Sequence, residues 1–218
     1  MAVTAQSIAT KARYQTLDTD GVRWTDAEVV EWLNMGQVEV AINKPTASVS
    51  NGSIPLVAGT EQTVPAGALA LLSVSHNTGD GSPCTLVNRS DLDASLPTWV
   101  NATAAVAAEH YMVDEDDPKT FQVYPPNTGA GELYGRTSVL PTTIADIDDD
   151  ISLDDEYEPV LLEYLLSRIW QKQTSLPNAA NRATQHYHNF LRSLGVKIQA
   201  GLTYSPRRTY EDAVNGAS

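Results

Sequence analysis

The sequence contains one cysteine, Cys84, so no internal disulfide can form, and no CxxC or Cys/His spacing is present to build a structural zinc site. The chain is therefore read as one for a reducing compartment, or one indifferent to redox state. Positive charge is also scarce: 14 Lys and Arg stand against 27 Asp and Glu, a formal net charge of −13. Grip on a phosphate backbone comes mainly from Lys and Arg that displace counterions, which argues against a DNA-gripping module. An acidic wall can still let DNA pass, because it repels the duplex over no more than a Debye length of about 8 Å. Long apolar runs are missing. No window approaches the roughly 18 apolar residues of a membrane span, and the opening MAVTAQSIATKARYQ has no apolar block, so a soluble chain without an evident address is expected. There is no GxSxG, P-loop or GxGxxG. Triplets at Asn51, Asn88 and Asn101 match the glycosylation pattern, but such short matches recur by chance and no secretory signal supports them.

What is present is helical spacing at both ends and strand texture between. At 218 residues the chain can bury a sizeable core as one larger domain or two small ones. Residues 4–17 read as a short helix with Thr4 as N-cap, followed by the turn LDTDGVR (17–23). Thr25 and Glu28 form a capping box for a second helix, in which Val29, Trp32, Leu33, Gly36 and Val40 share a face. Asp26, Glu31, Asn34 and Gln37 are expected mostly elsewhere, and Pro45 stops the helix. From 46 to 147, Gly, Pro, Thr and Ser punctuate short runs rich in Val, Leu and Tyr. Strands are expected at 53–57, 61–65, 69–76, 84–88, 109–113, 120–124 and 132–138, with the clearest hairpin in EHYMVDEDDPKTFQVYPP. After the acidic run 146–159, Tyr157, Leu161, Tyr164, Leu165 and Ile169 restore helical spacing, with Pro159 in the first turn. A last helix has Asn178 as N-cap, runs through Ala183, Tyr187, Phe190, Leu191 and Leu194, and meets Gly195 near its end.

The fold class expected is α+β: a four-helix bundle frame with an inserted antiparallel β region and an extended C-terminal tail. The segments are 1–45 and 148–198 for the two halves of the bundle, 46–147 for the β-rich insertion and 199–218 for the tail. Trp24, Trp32, Leu33, Leu161, Leu165, Tyr187 and Phe190 are expected in the bundle core, where aromatic rings supply large apolar areas.

Chemical candidates are weak. His186 and His188 lie two apart on a helix and point to nearly opposite sides, so they cannot share a metal as an i, i+4 pair would, and His110 beside Tyr111 reads as packing. Carboxylates gather in the turn Asp114, Glu115, Asp116, Asp117 and in the run Asp146 to Glu156, which the helix dipole and solvation explain. No catalytic residue, metal or cofactor is expected.

In order and spacing, GVRWTDAEVVEWLNMGQVEV, GTEQTVP, SVSHN, LPTW, EHYMVDEDDPKTFQVYPP, YEPVLLEYLLSRIWQKQ and NRATQHYHNFLRSLG resemble the head-to-tail adaptor (connector) proteins of tailed bacteriophages, up to about Gly195. The resemblance implies a structural virion protein at the neck, made in the host cytoplasm. It implies a ring, typically of twelve copies, beneath the portal, touching tail, nozzle or fibre proteins, with packaged DNA threading through unbound and no membrane contact. In such a ring the 25–42 helix would offer part of its surface to a neighbouring copy. The tail end is implied to reach the portal, with Tyr204, Pro206, Arg207, Arg208 and Tyr210 as anchors, since Tyr and Arg dominate interface hot spots. Three other readings remain open at this point. One is a tail-tube, tail-completion or gatekeeper ring protein, separated by its position in the virion. Another is a carboxylate-dependent cell-wall hydrolase using Glu109 and Asp114, separated by activity on peptidoglycan. The third is a monomeric binding module, separated by its mass.

Overall fold

A computed structural model describes residues 3–203 apart from residue 115. Its helices are α1 (Ala5–Thr16), α2 (Asp26–Asn43), α3 (Arg89–Ser95), α4 (Glu158–Lys172) and α5 (Ala179–Thr203). Its strands are β1 (Val49–Pro55), β2 (Ala58–Thr63), β3 (Ala68–Asn77), β4 (Thr85–Leu86), β5 (His110–Val113), β6 (Thr120–Thr128) and β7 (Glu132–Val139). The protein is thus mixed α+β, with five α-helices and two sheets among the described residues. It divides into two compact units, Met1–Lys44 with Thr142–Ser218, and Pro45–Pro141.

In the helical unit, Thr4 caps α1 by accepting from the Ser7 N–H, and the Thr25–Glu28 capping box opens α2. The turn between them closes on Asp18, a buried carboxylate that accepts backbone N–H bonds from Val22, Arg23 and Trp24. Leu17 (φ 56°) and Gly21 (φ 63°) supply the left-handed backbone that this reversal requires. A Cβ on Gly21 would stand 2.7 Å from the Arg13 guanidinium, which donates to the Trp24 carbonyl and to Asp26. Helix α4 packs against α1, α2 and α5. Gly36 lets α2 approach it, because a Cβ there would lie 2.8 Å from the Tyr164 ring and 3.2 Å from Leu161. Phe190 of α5 meets Tyr164 edge-on at 5.2 Å between ring centroids.

Asn178 stands immediately before α5 as expected, with φ 64°, and its backbone carbonyl accepts from the Arg182 N–H. One expectation for α5 needs correction: the helix does not end near Gly195 but continues to Thr203. A mid-helix Gly costs about 1 kcal/mol relative to Ala; contacts on both sides of it offset that cost, since Leu194 before it is buried and the Lys197 ammonium after it lies over the Tyr157 ring.

In the β unit, one sheet has the order β1-β7-β3 and the other β2-β6-β5-β4. The expected hairpin is present, with Val113 opposite Phe121 and His110 opposite Tyr124. Ile54, Leu56, Leu71, Val74, Phe121, Val123 and Leu133 share one core, into which Tyr111 also packs while its hydroxyl accepts from the Val74 N–H. Gly135 is required in β7, since a Cβ there would sit 2.8 Å from Ile54 and 2.9 Å from the Ser73 carbonyl. The antiparallel expectation fails at one place: β4 runs parallel to β5. Parallel neighbours need a long crossover, and the residues between Leu86 and His110 provide it through α3 and a 3-10 turn at Trp99–Asn101. Asn88 caps α3 by accepting from the Ser90 N–H, and Leu92, Trp99 and Met112 form a small second core, with the Trp99 indole donating to Asp93 at 2.7 Å.

Candidate functional site

The residues expected in the bundle core do not all reach the same depth. Trp24, Leu33, Leu161, Leu165 and Phe190 are buried. Trp32 and Tyr187 are half-buried. The Trp32 ring lies under the Lys172 ammonium at 5.9 Å, and the Tyr187 hydroxyl donates to Glu39 at 3.1 Å, so each keeps a polar neighbour at the surface. The Glu39 carboxylate and burial together push the Tyr187 hydroxyl upward, with burial the larger cause.

In their place the buried arc of α2 takes in Gln37, contrary to its expected outward position. Its Oε1 accepts from the Ser152 N–H at 2.7 Å, while the Asn34 side chain both donates to and accepts from the Ile144 backbone at 2.9 Å. These two amides hold the acidic run against the helical unit. The run is more than a solvated face: Ile147, Ile151 and Leu153 are buried from it, as is Ile144 just before it, and its carbonyls at Ile147 and Asp149 accept the first N–H groups of α1. The Asp149 carboxylate accepts from the Asp146 and Ala145 N–H groups, which hold it below the usual aspartate range. The angular position of Gln37 on α2 falls between Leu33 and Val30, but a polar side chain there gives no local sign of the distant backbone group that draws it inward.

Of the ion pairs on the outside of the helical unit, two depress a glutamate. Lys11 with Glu158, and Lys172 with Glu28, hold both carboxyls below the ordinary glutamate value of 4.5. A depressed folded-state pKa contributes stability that is present above the unfolded value and is lost as pH falls through the folded one. The helical unit should therefore weaken below about pH 4.5. Denaturant midpoints measured from pH 7 down to pH 3 test this, and Glu158→Gln should flatten the acid limb.

Two outward features stand on this frame. Between α4 and α5 lies a groove made of adjoining hollows of about 310 and 500 Å³, which share Gln171, Ala183 and Thr184. Its walls include Arg168, Trp170, Leu176 and Tyr187, and no carboxylate lines it. The Arg168 guanidinium donates to Gln171 and the Tyr164 hydroxyl, and Arg182 stacks on Trp170 at 4.6 Å. Neither has a carboxylate partner among the described residues. On α2, Ala27, Glu31, Met35 and Ile42 are exposed and Val38 is half-buried, a stripe at helical spacing.

Glu109 and Asp114, the carboxylates named for a hydrolytic reading, do not line a common cavity among the described residues. Asp114 and Glu61 line a cavity of about 250 Å³ with Arg89, and both are exposed; Glu109 is exposed and is not part of that lining. His186 pairs with Glu163 at 2.9 Å, and His76 and His110 stack on Tyr134 and Tyr124 across their strand pairs. Among the described residues no three His, Cys, Asp or Glu side chains are placed to hold a metal ion, and no helix is long and apolar enough to cross a membrane. The expected anchors Tyr204, Pro206, Arg207, Arg208 and Tyr210 lie outside the described residues.

The architecture is therefore one of packed surfaces held by polar clasps. A family model described as SU10 adaptor protein matches residues 3–210. The chain belongs to that family. It is a bacteriophage structural adaptor of the head-to-tail class, and its family is one of virion proteins that interact with portal and tail components. The match spans both compact units of this adaptor and extends over Tyr204 to Tyr210. No curated protein matches the chain.

Proposed function

We propose that this adaptor assembles as a ring of twelve copies beneath the portal, bridges the portal to the tail and extends the channel through which DNA leaves the capsid. The observation that carries the reading is the family match over residues 3–210. In this reading α1, α2, α4 and α5 form a bundle frame, the β unit is an insertion that meets tail, nozzle or fibre proteins, and residues 204–210 dock on the portal. The protein is made in the host cytoplasm and works at the virion neck, without catalysis or cofactor. Charge supports a channel that does not hold DNA: Pro45–Pro141 carries 10 acidic against 3 basic residues, and the rest of the chain 17 against 11. A duplex meeting two acidic units is repelled at close range and gains no counterion release.

Native mass spectrometry of the adaptor released with its portal, together with imaging of the neck, tests the assignment. The expected result is a closed ring of adaptor copies in direct contact with the portal. A single copy, or a ring found only at the distal tail, overturns it.

A further inference from the structure

We propose that the outward stripe of α2 in one copy seats in the α4–α5 groove of a second copy. The inference rests on the ring reading above and names the two surfaces that make its repeating contact. A closed cyclic ring uses a head-to-tail interface, so each subunit must present two different patches that fit one another. The helical unit contains such a pair.

The groove is floored by Ala179, Ala180 and Ala183, whose small side chains leave room for a helix, and Trp170 and Leu176 give it apolar walls. Along α5 it runs from Ala179 to Tyr187, about 12 Å at the helical rise. The α2 stripe presents Met35 (44% exposed), Val38 and Ile42 (61% exposed) over about 11 Å, so the apolar lengths agree. Exposed Met and Ile side chains at this spacing suit helix-in-groove recognition, in which residues three and four apart act as anchors.

Charge selects the same partner. Glu31 stands one turn before Met35, exposed and without a hydrogen-bond or ion-pair partner among the described residues. Among the described residues the Arg182 guanidinium lies on the face of Trp170 without an ion-pair partner, and Arg168 has its Nε buried without a hydrogen-bond partner. In a chain of net charge −13 a carboxylate-free groove flanked by two guanidiniums is complementary to another copy's carboxylate. Seating the stripe places Glu31 against Arg182 and shields the exposed Met and Ile from water.

The test uses the full chain assembled on its portal. In the variant Met35→Cys with Ala183→Cys, mild oxidation should give a ladder of disulfide-linked multimers. Cys84 does not compete, since it is buried and burial pushes its thiol up to about 12. Glutaraldehyde serves as the general control. A glutaraldehyde ladder without a disulfide ladder leaves the ring standing and overturns this contact. Absence of both removes the ring, and this contact with it. Charge exchange supplies an independent arm: Glu31→Arg or Arg182→Glu alone should lower ring yield about tenfold, and the two together should restore it. Full ring yield from both single variants, or no recovery in the double, overturns the pairing.

Discussion

Replacing Phe190 by alanine should destabilise the helical unit by about 3–5 kcal/mol, seen as a lower denaturant midpoint with an unchanged slope. Phe190 is fully buried, and its ring is the point where α5 meets α4, edge-on to Tyr164 and 5.8 Å from Tyr187. Removing the ring deletes its transfer free energy and opens a hole beside the Tyr164 and Tyr187 rings that a close-packed interior refills only in part. Trp32→Ala is the informative contrast. Its ring is larger but half-buried, so the loss should be only about 1–2 kcal/mol. Equal losses at the two positions would mean that the depth assigned to these rings is wrong.

Ending the chain after Ala200 should leave the fold intact and reduce portal attachment by at least about a hundredfold. The packed contacts of α5 described above, at Phe190, Leu194 and Lys197, all precede that point, so the helical unit keeps its core. What is removed includes Tyr204, Pro206, Arg207, Arg208 and Tyr210, a composition rich in the residue types that dominate interface hot spots. Surface-binding measurements with immobilised portal, alongside a thermal melt of the same sample, separate the two effects. Undiminished attachment by a shortened chain with a normal melt removes the docking assignment.

Local signals were the most readable part of this protein. The Thr25–Glu28 box, the Thr4 cap and Pro159 in the first turn of α4 were legible because each depends on residues within four positions of one another. The existence of the strands was legible for a similar reason, since β-branched and aromatic runs between Gly and Pro clusters need no distant information, but their bounds were not: β1, expected at 53–57, spans Val49–Pro55, β4, expected at 84–88, shrinks to Thr85–Leu86, and β6, expected at 120–124, runs on to Thr128. Helix α3 was missed because its seven residues bury only Leu92, too little to produce a period. The parallel pairing of β4 and β5 was missed because strand direction depends on the path of the crossover between them. Of the outward features, the exposed remainder of α2 was readable as a face. The α4–α5 groove was not, because its walls are brought together from two helices and the loop between them.

By itself the sequence determined the starts of α1, α2 and α4, the absence of a disulfide within the chain, the acidic balance and the order of segments by which the adaptor family is recognised. Those properties are additive or short-ranged, so they survive being read along a line. Only the tertiary structure decided that Gln37 turns inward to bond the Ser152 backbone, that the acidic run is clasped by Asn34 and anchored by its isoleucines, and that Trp32 stays near the surface while Phe190 does not. A polar side chain goes inside when a distant backbone group needs a partner there, and a ring is buried when another helix closes over it. Both depend on residues more than 100 positions away in the case of Gln37 and Asn34, which no local pattern contains.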